Sequence, residues 1–253
     1  AHELRLMYIF VTGNQRSGTT FLYQLMCAMF DVGYVNNIAA KFPESPCRGL
    51  RAATDLGLDE KRVSFRSEYG NTPLLTDPSE FGWFWRRFFD LERPMDKAAL
   101  DRVAWNELRA ILGAIHEDCG GKPLVFKCAA MGFQMGRVSL EIPEARFLYV
   151  VRSLNDVIQS TVNASLQRHG DAGAWYGFRP PMNPSDMRLP PAERASVQVR
   201  STNALMESEA RLVLADRCFT LSFASLCSAP FALLDRIQQR FGLRPAMVQH
   251  ADS

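Results

Sequence analysis

A chain of 253 residues, 47% of them hydrophobic and 22% charged, has material for a sizeable core, and an α/β fold of this length is ordinarily one domain, here 1–253. A formal charge of +2 argues against a general nucleic-acid binder, so basic character that matters must be local. No apolar run approaches the roughly 18 residues that a membrane span needs, and Ala1-His2-Glu3-Leu4-Arg5 leads straight into an apolar run, so no leader peptide is expected.

The first element is a buried strand over Leu6–Thr12, followed by an amphipathic helix over Thr19–Phe30. Val35–Thr76 is mixed and rich in breakers. A helix is predicted over Asp96–Cys119, with Asp96 as its N-cap and Gly120-Gly121 as its stop. Strands follow over Leu124–Cys128 and Arg146–Val151, then a helix over Leu154–Gln167. Gly170–Pro191 is a long Pro/Gly loop of the kind that carries function or moves. A helix over Ala192–Ala215, a strand over Cys218–Ser222 and a helix over Pro230–Phe241 closed by Gly242 complete the chain. Strands alternating with helices specify βαβ units, hence a three-layer α/β/α fold around a central parallel sheet. Cys27, Cys47, Cys119, Cys128, Cys218 and Cys227 show no C-x-x-C spacing. They read as reduced, buried thiols of a cytoplasmic protein rather than as metal ligands.

The turn between the first strand and helix carries the chemistry. Gly13 and Gly18 bracket a loop that feeds Arg16-Ser17-Gly18-Thr19-Thr20 into the helix. Such a turn aims backbone N–H groups and the positive end of the helix dipole at one point, a cradle for phosphate. A nucleotide triphosphatase loop places Lys directly after its second glycine; here Thr19 stands there, and the basic residue is Arg16. In open parallel sheets the ligand lies beyond the carboxyl ends of the strands. Where a magnesium-dependent enzyme would place an Asp, this chain ends two strands in Lys127 and Arg152. Two cations at that edge favour a ligand with several anionic groups held without a metal. Ser160, eight residues after Arg152, falls in the second turn of the next helix. Two anion pockets are therefore expected, one at Arg16–Thr20 and one at Arg152 and Ser160.

The pair RSGTT…VVRSLNDVIQS resembles the sulfotransferases that use 3′-phosphoadenosine-5′-phosphosulfate, most closely their Golgi-type and bacterial members. Lys127 followed by Glu141-Ile142-Pro143-Glu144-Ala145-Arg146-Phe147 and then Arg152 is similar to a pattern of those members, as is Cys218–Leu243 to their final strand, turn and helix. The resemblance implies an architecture related to the P-loop nucleotide triphosphatases and a donor held without metal, with 3′-phosphoadenosine-5′-phosphate as product. It implies that Arg16, Ser17, Gly18, Thr19 and Thr20 hold the 5′-phosphosulfate and that Arg152 and Ser160 hold the 3′-phosphate. Arg16 and Lys127 would neutralise charge during transfer, and Phe21 would face the adenine or pack in the helix core.

The acceptor would be a small molecule with a hydroxyl, a hydrophobic alcohol or phenol first and a carbohydrate or lipid headgroup second. Its pocket is expected along Phe81–Phe89 and Trp175-Tyr176-Gly177-Phe178. The residues that serve as base in the family are replaced by Ala129 and by Asn36-Asn37. Glu80, which opens an aromatic run, is the leading candidate, ahead of Glu68, Glu44 and His116. Two other functions compete: a P-loop kinase or nucleotide triphosphatase, and a nucleotide-binding protein without catalysis.

Overall fold

The computed structural model describes residues 6–58, 63–68 and 70–246. The expected leaderless opening, Ala1–Arg5, lies outside them. Four strands, β1 (Tyr8–Gly13), β2 (Leu124–Lys127), β3 (Ala145–Val151) and β4 (Cys218–Ser222), form one parallel sheet in the order β2-β1-β3-β4. The register sets Val11 beside Lys127 and Gly13 beside Val150, so the carboxyl ends of the central strands share one edge.

The helices are α1 (Thr19–Met29), α2 (Pro46–Asp55), α3 (Gly82–Trp85), α4 (Lys97–Asp101), α5 (Trp105–Asp118), α6 (Met135–Glu141), α7 (Leu154–His169), α8 (Pro191–Leu212), α9 (Phe223–Ser228) and α10 (Pro230–Phe241). Side chains of β1 alternate between two cores, as a pleated strand requires. Ile9 and Val11 pack with Leu22 and Met26 of α1 and Leu234 and Ile237 of α10. Tyr8 and Phe10 face the other way, toward Leu108 and Leu112 of α5, Val138 of α6 and Met206 of α8. At the centre of that second core the Phe10 ring lies 5.8 Å from each of Phe126, Phe147 and Trp85.

The helix expected over Asp96–Cys119 is two helices. Asp96 does cap the first, accepting the Ala99 N–H at 2.7 Å. The break at 102–104 has a local cause. The Leu100 carbonyl accepts the Trp105 indole N–H at 3.0 Å, and the redirected chain buries Trp105 against Phe89. Within the breaker-rich stretch, Pro46 opens α2 at a position where a missing N–H costs nothing. Gly170–Pro191 stays irregular apart from a 3₁₀ turn at Asp186–Arg188. The thiols depart from expectation: all six are free, but only Cys27 and Cys128 are buried and Cys227 is exposed. No described helix is long and apolar enough to cross a membrane.

Candidate active site

The loop after β1 is shaped by close approaches as much as by hydrogen bonds. A Cβ on Gly13 would lie 2.5 Å from the Val150 carbonyl oxygen, so only glycine lets β1 turn away this close to β3. Gly18, at φ +94°, caps α1 in the left-handed region, and a Cβ there would strike the Phe223 ring at 2.2 Å. Between them Arg16 also adopts a left-handed backbone, φ +62°. Asn14 fixes the loop from behind, donating to Asn203 Oδ1 at 2.8 Å and to the Val199 carbonyl at 3.2 Å on α8.

The residues expected at the two anion pockets meet one another. Arg16 Nε donates to Ser160 Oγ at 2.9 Å, and Arg152 Nη1 donates to the Arg16 carbonyl at 3.0 Å. Ser160 thus meets the arginine of the first motif, because α7 returns across the loop that β1 enters. The Arg152 guanidinium lies 4.5 Å from the centroid of Phe223, whose ring also faces Gly18. Phe223 was not foreseen from the sequence. Its one signal was its place just beyond the carboxyl end of a strand.

A cavity of about 590 Å³ opens at this edge. Arg16, Gly18, Thr19, Thr20 and Phe21 border it at one end, with Arg152 and Phe223. Ser17 is buried behind the loop. At the other end Lys127 meets Glu80: Nζ and Oε1 are in direct contact, with the ammonium side chain 8% exposed and the carboxylate 39% exposed. Cys128 also borders the cavity, and burial pushes its thiol up to about 12, which keeps it protonated and unreactive at neutral pH.

The remaining candidates for a base separate cleanly. Glu68 borders the cavity. Glu44 is exposed and pairs with Arg87 at 3.4 Å, and His116 on α5 places Nδ1 2.9 Å from the Lys122 carbonyl; neither reaches the cavity. The asparagines hold backbone. Asn36 accepts the Ala39 N–H at 2.9 Å, and Asn37 donates to the Leu74 carbonyl at 2.8 Å.

The aromatic run proves to be mostly core rather than pocket lining. Phe81, Phe84, Phe88 and Phe89 are buried, and of the run's aromatic rings Trp85 alone borders the cavity. Its effect is to fix the chain at Glu80. The Trp175–Phe178 strap does line the cavity, through Tyr176 and Phe178. Gln198 holds it, donating to the carbonyls of Tyr176 at 2.8 Å and Phe178 at 2.6 Å. The Phe178 N–H reaches Gln15 Oε1 at 3.4 Å, so the strap rests on the loop that carries Arg16.

Comparison with known proteins agrees with this architecture. Two mycobacterial structures align over nearly all of the chain. Sulfotransferase STF1 from Mycobacterium tuberculosis has 15% identity and a TM-score of 0.60, the match covering 94% of this chain and 68% of that one. Sulfotransferase STF9 from Mycobacterium avium has 14% identity and a TM-score of 0.54, covering 96% and 65%. The sulfotransferase domain from the curacin biosynthetic pathway has 14% identity and a TM-score of 0.53, covering 96% and 76%. No curated protein sequence matches the chain. The model of the sulfotransferase family matches residues 9–246, from β1 past the last helix, and the chain belongs to that family.

Proposed function

We propose that the protein moves a sulfuryl group from 3′-phosphoadenosine-5′-phosphosulfate to the hydroxyl of a small, largely hydrophobic acceptor in the cytoplasm. The observation that carries this reading is the convergence of Arg16, Lys127 and Arg152 on one cavity that also holds Glu80. The residues fit such a donor. Three cations face a space of about 590 Å³, within the range of cavities that take a nucleotide-sized ligand.

The donor supplies a sulfuryl group on a phosphate leaving group. The N-terminus of α1, with Thr19 and Thr20, holds the 5′-phosphate. Arg152 binds the 3′-phosphate, and Ser160 steadies the Arg16 side chain beside it. Phe21, 38% exposed on the cavity wall, offers a ring face to the adenine. Glu80 takes the proton of the acceptor hydroxyl while that oxygen bonds to sulfur. Arg16 and Lys127 neutralise the charge that collects on the phosphate oxygen as its bond to sulfur breaks. Transfer of this kind has a loose, in-line transition state resembling phosphoryl transfer, so placement and charge supply the catalysis. Tyr176, Phe178 and Trp85 give the acceptor end its apolar surface.

Mass spectrometry of a hydroxyl library incubated with donor and protein tests the reading. Added sulfate on alcohols or phenols is expected. Donor binding with no sulfated product across the library would leave a binding protein without catalysis.

A further inference from the structure

The segment before Glu80 is a closed clasp. At its base the Asp77 carboxylate is fully buried and accepts the Ser64 N–H at 2.7 Å, the Ser64 hydroxyl at 2.7 Å and the Leu74 N–H at 2.9 Å. Along its side Asn37 Nδ2 donates to Thr72 Oγ1 at 2.9 Å and to the Thr72 and Leu74 carbonyls at 3.1 and 2.8 Å. Near its tip Glu68 and Asn71 exchange backbone hydrogen bonds of 2.9 Å in both directions. This tip delivers Gly70 onto the Glu80 carboxylate. A Cβ on Gly70 would lie 1.9 Å from Oε1 and 2.7 Å from Cδ, and the residue sits at φ +89°.

Glu80 has little freedom at its root. The Ser79 N–H donates to the Val35 carbonyl at 2.9 Å, and Phe81 is buried with a left-handed backbone, φ +56°. An added atom would first meet the far end of the Glu80 side chain, and that end touches Lys127.

We infer that Gly70 is a positioning residue: the bare backbone at the clasp tip leaves the space in which the Glu80 carboxylate reaches Lys127, and it backs that carboxylate toward the cavity. The inference rests on the proposed role of Glu80 for its effect on turnover, but the placement of the carboxylate is measurable without it.

Four proteins test it: the parent, Gly70→Ala, Glu80→Asp, and both changes together. Stabilisation by 3′-phosphoadenosine-5′-phosphate serves as the check on folding and on the donor end, and should be alike in all four. Acetic anhydride labelling followed by peptide mass spectrometry reads the exposure of Lys127. In Gly70→Ala the displaced carboxylate should leave Lys127 several times more reactive than in the parent, and kcat should fall on the order of a hundredfold, the scale of a misplacement of about 1 Å. The shorter carboxylate of Glu80→Asp leaves room for the added methyl, so the double variant should turn over at least about tenfold faster than the product of the two single losses predicts. Unchanged labelling, or single losses that simply multiply, overturns the inference. If Gly70→Ala does not fold, Asn37→Ala loosens the clasp without adding an atom beside Glu80. Lys127 labelling should rise there too, and no rise overturns the inference. Should Glu80→Asp and Glu80→Gln both turn over like the parent, the base assignment fails, while the labelling still reports whether Gly70 sets the carboxylate.

Discussion

The two ends of the cavity are built in different ways. The proposed donor end is backbone: a glycine turn, a helix N-terminus and a strand end on one sheet edge place Arg16 and Arg152, and the end of β2 places Lys127 where the two ends meet. The proposed acceptor end is loops: the clasp of 64–68 and 70–77, held by its own buried Asp77 and by Asn37, and the Trp175–Phe178 strap, held by the buried Gln198 of α8. Parallel pairing fixes the first by joining strands far apart in the chain, as in Val11 beside Lys127. The second is held by side-chain hydrogen bonds to loop backbone, such as Asn37 to Thr72 and Gln198 to Tyr176. A family can therefore keep one anion site while varying its acceptor, because changes in the loops leave the sheet edge alone.

Substitutions should separate the ends by readout. The largest effect is expected at their junction. Glu80→Gln keeps the size and a hydrogen-bond acceptor toward Lys127 but cannot take a proton, so activity should drop by roughly a hundred- to ten-thousandfold with donor affinity unchanged. Near-parental turnover would move the base to Glu68, the other candidate carboxylate on the cavity wall. Lys127→Ala should lower kcat by about a hundredfold with a smaller change in KM, as removal of one transition-state stabiliser does. A defect confined to donor affinity would instead class Lys127 with the donor wall.

Arg152→Ala should act in the opposite sense, weakening donor binding by about 2–4 kcal/mol while sparing turnover at saturation. In the parent, AMP should stabilise the fold much less than 3′-phosphoadenosine-5′-phosphate; equal shifts would remove the assignment of Arg152 to the 3′-phosphate. Gln198→Ala releases two buried carbonyls of the strap. It should raise the acceptor KM by about tenfold and cost about 1–3 kcal/mol of stability, with the donor-induced Tm shift retained. A change in donor affinity there would show that the strap serves both ends.

The smallest effect concerns the scaffold that the two ends share. Burial raises the Glu209 carboxyl above its ordinary 4.5, and Glu209 accepts the Gly136 N–H at 2.9 Å. A carboxyl raised in the folded state contributes stability below its unfolded pKa, and that contribution is lost as pH rises through the folded value. Glu209→Gln keeps an acceptor for Gly136 and should raise Tm modestly at neutral pH, with no gain near pH 4. An equal gain at both pH values would mean that the charge is not the cause.

This division also explains what the sequence disclosed. All four strands lie within two residues of their expected ends, because buried parallel strands are short apolar runs with little room to shift. The residues proposed to hold the donor were legible since glycine spacing and a cation at a strand end are local patterns. Glu80 was picked out as a candidate through its neighbours, though those rings are mostly core rather than pocket lining. Gly70, Gln198 and Phe223 were not singled out, for each matters through a contact that only the fold creates: with Glu80, the strap and Gly18. The bond between Arg16 and Ser160 was missed for the same reason.

The seating of Phe223 on Gly18 bears on the order of assembly. Gly18 opens the first helix and Phe223 follows the last strand, so the donor wall is closed only when β4 has docked beside β3. During synthesis the glycine turn emerges before the ring that covers it, and lacks that ring until β4 and Phe223 have left the ribosome. If the proposed donor site is correct, donor affinity is a property of the completed sheet. A nascent chain arrested before β4 should bind 3′-phosphoadenosine-5′-phosphate poorly, and in the finished protein the ligand should slow amide exchange in β4 as well as in the loop it touches.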